Sequence, residues 1–113
     1  MPANSETILS NQTHPGDSTS VTTTGNAFKG DGFYGRSDGL HTIQYNYTGF
    51  IGDLIIQATL AIEPVETDWI EIYKDTIDNE TKNETTNFIG NYVWIRAIIS
   101  YTDGTMESVI LNH

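Results

Sequence analysis

From Leu40 onward, apolar and polar residues alternate with a period of two, which sends successive side chains to opposite faces of a strand. In LHTIQYNYTGF (residues 40–50), Ile43, Tyr45 and Tyr47 share one face, and Thr42, Gln44 and Asn46 the other. In GDLIIQATLAIEPVETDWIEI (residues 52–72), Leu54, Ile56, Ala58 and Leu60 share a face opposite Ile55, Gln57, Thr59 and Ala61. A helix tolerates parts of this run, but its length and β-branched content favour a strand. Pro64 removes a ladder donor and ends it; TDWIEIYK then opens another strand.

NYVWIRAIISYTDGTMESVIL carries the clearest hairpin pattern. Val93, Ile95, Ala97, Ile99 and Tyr101 form one face, and Tyr92, Trp94, Arg96, Ile98 and Ser100 the other. Asp103-Gly104 supplies turn chemistry, with TMESVIL as the returning strand. The polar stretch DTIDNETKNETTN (residues 75–87) reads as a loop. GNAFKGDGFYGRSDG has five glycines and reads as turns; it lacks the GxxxxGK[ST] of a phosphate-binding loop. STSVTTTG (residues 18–25) is the start of a first strand.

No segment has a persuasive capped helical stripe. About seven short strands in one chain predict an all-β fold: an antiparallel β-sandwich of jelly-roll or immunoglobulin-like topology, with an open barrel as the structural alternative. The first residues are rich in Ser, Thr, Asn and Pro, so residues 1–17 are expected to form a flexible N-terminal arm and residues 18–113 a single sandwich domain. Ile8 and Leu9 are that arm's apolar pair, available to dock on a neighbouring subunit.

Charge narrows the partners. Five Lys+Arg against 15 Asp+Glu give a formal net charge of -10 in 113 residues. This argues against nucleic acid and against an anionic membrane surface as ligands. The N-terminus lacks the cationic start and apolar core of a signal peptide, and no run reaches transmembrane length, so cytoplasmic synthesis of a soluble protein is expected. With no cysteine, thiol chemistry and disulfides are excluded.

Candidate chemistry is sparse. Asp31, Asp38, Asp53, Asp75, Asp78 and Glu80 supply oxygens but no EF-hand spacing. His14, His41 and His113 are scattered and form no HExxH, so no metal and no cofactor is expected. Glu63 with Glu66, or Glu71 with Asp75, are conceivable glycosidase pairs, but spacing alone does not place them across a sugar. No GxSxG elbow is present, and the chain reads as a non-enzyme. N-x-[ST] triplets at Asn11, Asn46, Asn79 and Asn83 follow from an Asn- and Thr-rich composition.

Binding surfaces are better represented. Tyr92, Trp94, Arg96 and Ile98 make a strand face too apolar for simple solvation, and Trp94 with Arg96 can form a cation–π pair. Together with Ile8 and Leu9 they are the candidate subunit interface of a homo-oligomer, with an intrasubunit core or a ligand platform as alternatives. Trp69 reads as a packing corner. With Tyr34, Tyr45 and Tyr47 it also forms the alternative set of rings for stacking a glycan.

GFIGDLIIQATLAIEPVETDWIEI, followed by GNYVWIRAIISYTDGTMESVIL, resembles small β-sandwich virion proteins of tailed bacteriophages, especially marine T4-like phages of cyanobacteria. The residues carrying it are Gly52, Ile56 to Leu60, Trp69, Tyr92, Trp94, Arg96, Ala97 and Gly104, within residues 40–111. The resemblance implies a structural or accessory role in a virion, repeated copies, contact with other virion proteins and possible contact with a receptor glycan. It transfers no catalytic residue. Carbohydrate-binding and immunoglobulin-like sandwiches share such strand-turn patterns, which keeps a carbohydrate- or receptor-binding module as the competing function.

Overall fold

The computed structural model describes residues 5–16, 19–30 and 39–112. Among them, apart from a 3₁₀ turn at Glu66–Asp68, every regular element is a strand: β1 (Ser5–Leu9), β2 (Gln12–Thr13), β3 (Val21–Thr24), β4 (Phe28–Lys29), β5 (Leu40–Thr59), β6 (Ile70–Ile89) and β7 (Trp94–Asn112). All pairings are antiparallel, with β7 and β6 flanking β5.

β5 and β6 are each 20 residues long and β7 is 19. At about 3.3 Å per residue a 20-residue strand would run about 66 Å, yet the longest dimension of the protein is 44 Å. The long strands must bend, and they do so at one level. β5 loses register with its neighbours between Asn46 and Gly52. Left-handed backbone occurs alongside, at Gly49 (φ 56), Asn79 (φ 53) on β6 and Gly104 (φ 93) on β7. This line of bulges folds the sheet over itself into a β-sandwich of jelly-roll type. One layer holds residues 40–48 of β5 with the C-terminal halves of β6 and β7; the other holds residues 51–59 with their N-terminal halves.

The core lies between the layers. Ile43, Tyr45 and Tyr47 point inward before the corner, and Leu54, Ile56 and Ala58 after it. The inward phase thus switches from odd to even positions, a slip that the bulges absorb with Phe50 buried at the bend. On β7, Ile95, Ala97, Ile99 and Tyr101 are buried as their alternation predicts, followed by Met106, Val109 and Leu111. Tyr45 reaches across the sandwich from β5, its hydroxyl 2.8 Å from that of Tyr73 and 2.6 Å from Asp75 Oδ2. Burial, reinforced by these two partners, pushes the Tyr45 hydroxyl far above the ordinary tyrosine range.

Because β5 is folded in two, both its ends emerge at one end of the sandwich. The four residues between β6 and β7 start beside Leu40 in one layer and finish beside Thr59 in the other. Four residues reach about 14 Å, enough to cross layers about 10 Å apart.

Three expectations are corrected. Asp103-Gly104 is not a hairpin turn: β7 runs through it as one strand, paired with β5 on both sides. A left-handed glycine serves a bulge as well as a turn. Residues 75–87 are not a loop but the middle of β6, whose polar composition is tolerated because β6 is an edge with one neighbour. Nor do residues 5–13 form an arm. β1, β2, β3 and β4 line up along the other side of β7, pairing with residues 109–112, 105–106, 98–101 and 94–95 in turn. Ile8 and Leu9 are 2% and 4% exposed in their own chain's core, so neither is available to a neighbouring subunit. Both point inward because the pairing slips between Thr7 and Leu9.

Candidate binding site

Outward-facing positions separate two surfaces. In the first layer they are Thr42, Gln44 and Asn46 on β5, with Asn83, Thr85 and Asn87 opposite them on β6. These groups bond to one another: Thr42 Oγ1 donates to Asn87 at 2.8 Å, Gln44 Nε2 to Asn83 at 3.1 Å, and Ser108 Oγ to Asn46 at 3.4 Å. Cross-strand ladders of this kind stabilise the sheet and leave fewer donors for a ligand.

The second layer's outer face is built differently. Arg96 on β7 stands opposite Gln57 on β5, and its Nε donates to Gln57 Oε1 at 2.8 Å. The ten-residue connection from β5 to β6 folds onto this pair. Glu66 accepts both guanidinium ends, at 3.1 Å from Nη1 and 2.9 Å from Nη2, the fork geometry that fixes an arginine in place. Trp69 lays its indole over the guanidinium, 4.3 Å from ring centroid to Cζ. Covered in this way, the Arg96 side chain is only 11% exposed although it leaves the sheet outward.

The connection is anchored at further points. Trp94 Nε1 donates to the Ile62 carbonyl at 2.9 Å. The Val65 N–H donates to Asp68 Oδ2 at 2.9 Å, while the Asp68 N–H donates back to the Val65 carbonyl at 2.9 Å. Pairing with Arg96 holds the exposed Glu66 carboxyl below its ordinary range. The clamp is therefore intact at neutral pH and releases only as the pH falls through that lowered value. What results is a half-buried tryptophan with one face backed by a fixed cation and the other turned away from the sheet.

The sequence candidates distribute as follows. Trp94, Arg96 and Ile98 do share an outer strand face, but the ring stacked on Arg96 belongs to Trp69, and Trp94 holds the connection. Tyr92 packs near Phe88 at the end of the core, with ring centroids 6.3 Å apart. Tyr45 and Tyr47 are 1% and 3% exposed, so neither presents a ring to a ligand: β5 turns their face inward. Tyr34 lies outside the described residues, as do Asp31, Asp38 and His113. Among the described members of the glycan set, Trp69 is the one left at a surface.

His14 and His41 have structural partners. His14 Nε2 lies 2.7 Å from the Thr19 carbonyl, and Nδ1 accepts from the Gly16 N–H at 2.9 Å. His41 is fully buried, with Nδ1 2.8 Å from the Gly39 carbonyl and its ring stacked on Phe88. Among the described residues, no group of three or more His, Asp or Glu could hold a metal ion, and no helix is long and apolar enough to cross a membrane. Of the paired acids, Glu66 is committed to Arg96, and Asp75 accepts from Tyr45.

No family model matches the chain, and no curated protein matches it in sequence. Solved structures do match in fold. CBM29_1, a family 29 carbohydrate-binding module from Piromyces equi, aligns with TM-score 0.54 at 8% identity, covering 100% of this chain and 93% of the module. The K2 cleaved adhesin domain of Lys-gingipain aligns at 0.51 with 12% identity over 77% of this chain, which spans 61% of that domain. The CBM1 of BiXyn10A aligns at 0.50 with 11% identity, covering 100% of this chain and 99% of the other. At such identities the likeness is one of fold: this chain is an antiparallel β-sandwich similar to carbohydrate-binding modules and an adhesin domain.

Proposed function

We propose that the chain is a non-catalytic carbohydrate-binding β-sandwich module that takes a neutral glycan on the Trp69 surface. The observation that carries this reading is the arrangement around Trp69: the ring is backed by Arg96, and Arg96 is locked by Glu66 and Gln57. A sugar ring has an apolar face and a hydroxyl rim, and a preorganised aromatic plate with polar neighbours complements both. The net charge of -10, with Arg96 already neutralised by Glu66, disfavours anionic polysaccharides. The likeness in fold to carbohydrate-binding modules supports the reading without identifying a sugar.

Trp69→Ala is expected to weaken binding to neutral oligosaccharides at least tenfold, about 1.4 kcal/mol. Affinity electrophoresis in neutral and anionic polysaccharide gels, with tryptophan-fluorescence titration, measures it. Unchanged mobility of the wild type in every neutral gel would remove the proposal.

A second reading has its own observation. Leu40, Leu60, Ile62, Val65, Ile70 and Ile89 are all more than half exposed, and all lie where β5 and β6 end, away from the corner. An apolar end on an otherwise acidic sandwich suits self-association, as a virion structural or accessory protein of the phage type would need. Under this reading, light scattering should show a concentration-dependent oligomer that Ile62→Asp dissolves. A monomer throughout would count against it.

A further inference from the structure

The two layers of the sandwich meet at an edge where β1 faces the β3–β4 segment. Between them lies an open cleft of about 210 Å³, room for about seven waters at about 30 Å³ each. It is built by both layers, since β1 pairs with one half of β7, and β3 and β4 with the other. The Gly25 N–H, donating to the Ala97 carbonyl at 2.8 Å, ties the segment after β3 to the sheet beside the cleft.

Three properties of the lining point to one ligand chemistry. First, among the described residues none that lines the cleft is charged, in a chain with 20 acidic or basic side chains by formal count (15 plus 5). Second, its polar side chains are Thr7, Ser10, Gln12, Thr23, Thr24 and Asn26, all hydroxyls or amides. None of the six makes a side-chain hydrogen bond among the described residues, whereas the outer amide face of the first layer is bonded to itself. Third, Phe28, only partly buried against the core, adds an aromatic surface, while Ile8 and Leu9 close the floor with their side chains in the core.

From this lining we infer that the edge cleft is a second binding site, for a single neutral sugar ring such as the terminal residue of a glycan. An uncharged lining with unused donors and acceptors, beside the Phe28 ring, matches a ring carrying hydroxyls around a C–H face. A ligand bearing phosphate, sulfate or carboxylate finds no cation among the described lining residues. The space accommodates one ring, so the cleft takes a single residue of a glycan. The inference shares with the proposed function the premise of a neutral glycan, but it does not depend on Trp69.

The test is a backbone-amide NMR titration of the full chain with methyl glycosides of neutral hexoses, a pentose and N-acetylglucosamine. At least one is expected to shift amides in residues 7–12 and 23–28 together. Asn26→Ala and Ser10→Ala, both at exposed positions, should each weaken that binding about three- to tenfold, with the rest of the spectrum retained. Trp69→Ala should leave it unchanged. If no glycoside shifts the cleft amides while neutral oligosaccharides still bind at Trp69, the cleft inference fails and the platform stands. Shifts insensitive to both cleft substitutions would also overturn it.

Discussion

Ile8→Asp is expected to destabilise the monomer by about 3–5 kcal/mol, a large part of the 5–15 kcal/mol typical of a domain. Ile8 is 2% exposed and belongs to the single core cluster. Losing a buried isoleucine removes about 1.5–3 kcal/mol of transfer energy, and an unpaired carboxylate in its place adds a desolvation cost. The substitution also removes the apolar anchor that keeps β1 on the edge of β7. Urea unfolding followed by tryptophan fluorescence should show a lower midpoint that does not vary with protein concentration. An intersubunit role for Ile8 would instead leave the dilute monomer's midpoint unchanged and weaken only assembly. Leu9, 4% exposed in the same cluster, should behave alike.

That result would also explain why the N-terminal segment is hard to read from composition. Ser, Thr and Asn give it little apolar material, but it needs little: β7 already offers an unpaired edge, and two adjacent apolar residues fill the core once a bulge turns both inward. Alternation was legible wherever a strand has neighbours on both sides, as in Leu54, Ile56 and Ala58 or Ile95, Ala97 and Ile99. It failed on β6, where only one neighbour exists. The acids and lysines of β6, among them Asp75, Asp78, Glu80, Lys82 and Glu84, suit an edge that must not recruit another strand.

The candidate site was half legible for a related reason. Arg96 and Gln57 are cross-strand partners, and Arg96 with Trp94 shares a face that alternation reveals. No local spacing announces that the connection before β6 returns to place Glu66 and Trp69 on Arg96. An acidic residue three positions before a tryptophan, after a strand-ending proline, was the only hint. The edge cleft left still less trace, because its six polar residues come from separate segments that meet only when both lie along β7.

Gly104→Val is expected to cost more than about 4 kcal/mol, or to prevent folding. Two effects combine at this position. The backbone sits at φ 93, which costs an L-residue about 1–2 kcal/mol. In addition, a Cβ here would lie 2.3 Å from the Gly49 carbonyl oxygen and 2.5 Å from Phe50 Cα. Both are backbone atoms of β5 at the bend, so no rotamer change relieves the contact, and β7 would have to part from β5 there. Gly16 separates the two effects, since it has φ 87 but nothing within 4 Å of an added Cβ. Gly16→Ala should therefore cost only the conformational share, about 1–2 kcal/mol, and Gly104→Ala distinctly more. Equal losses in thermal or urea unfolding would mean that the corner has slack, and that the bend does not rest on this close approach of β7 to β5.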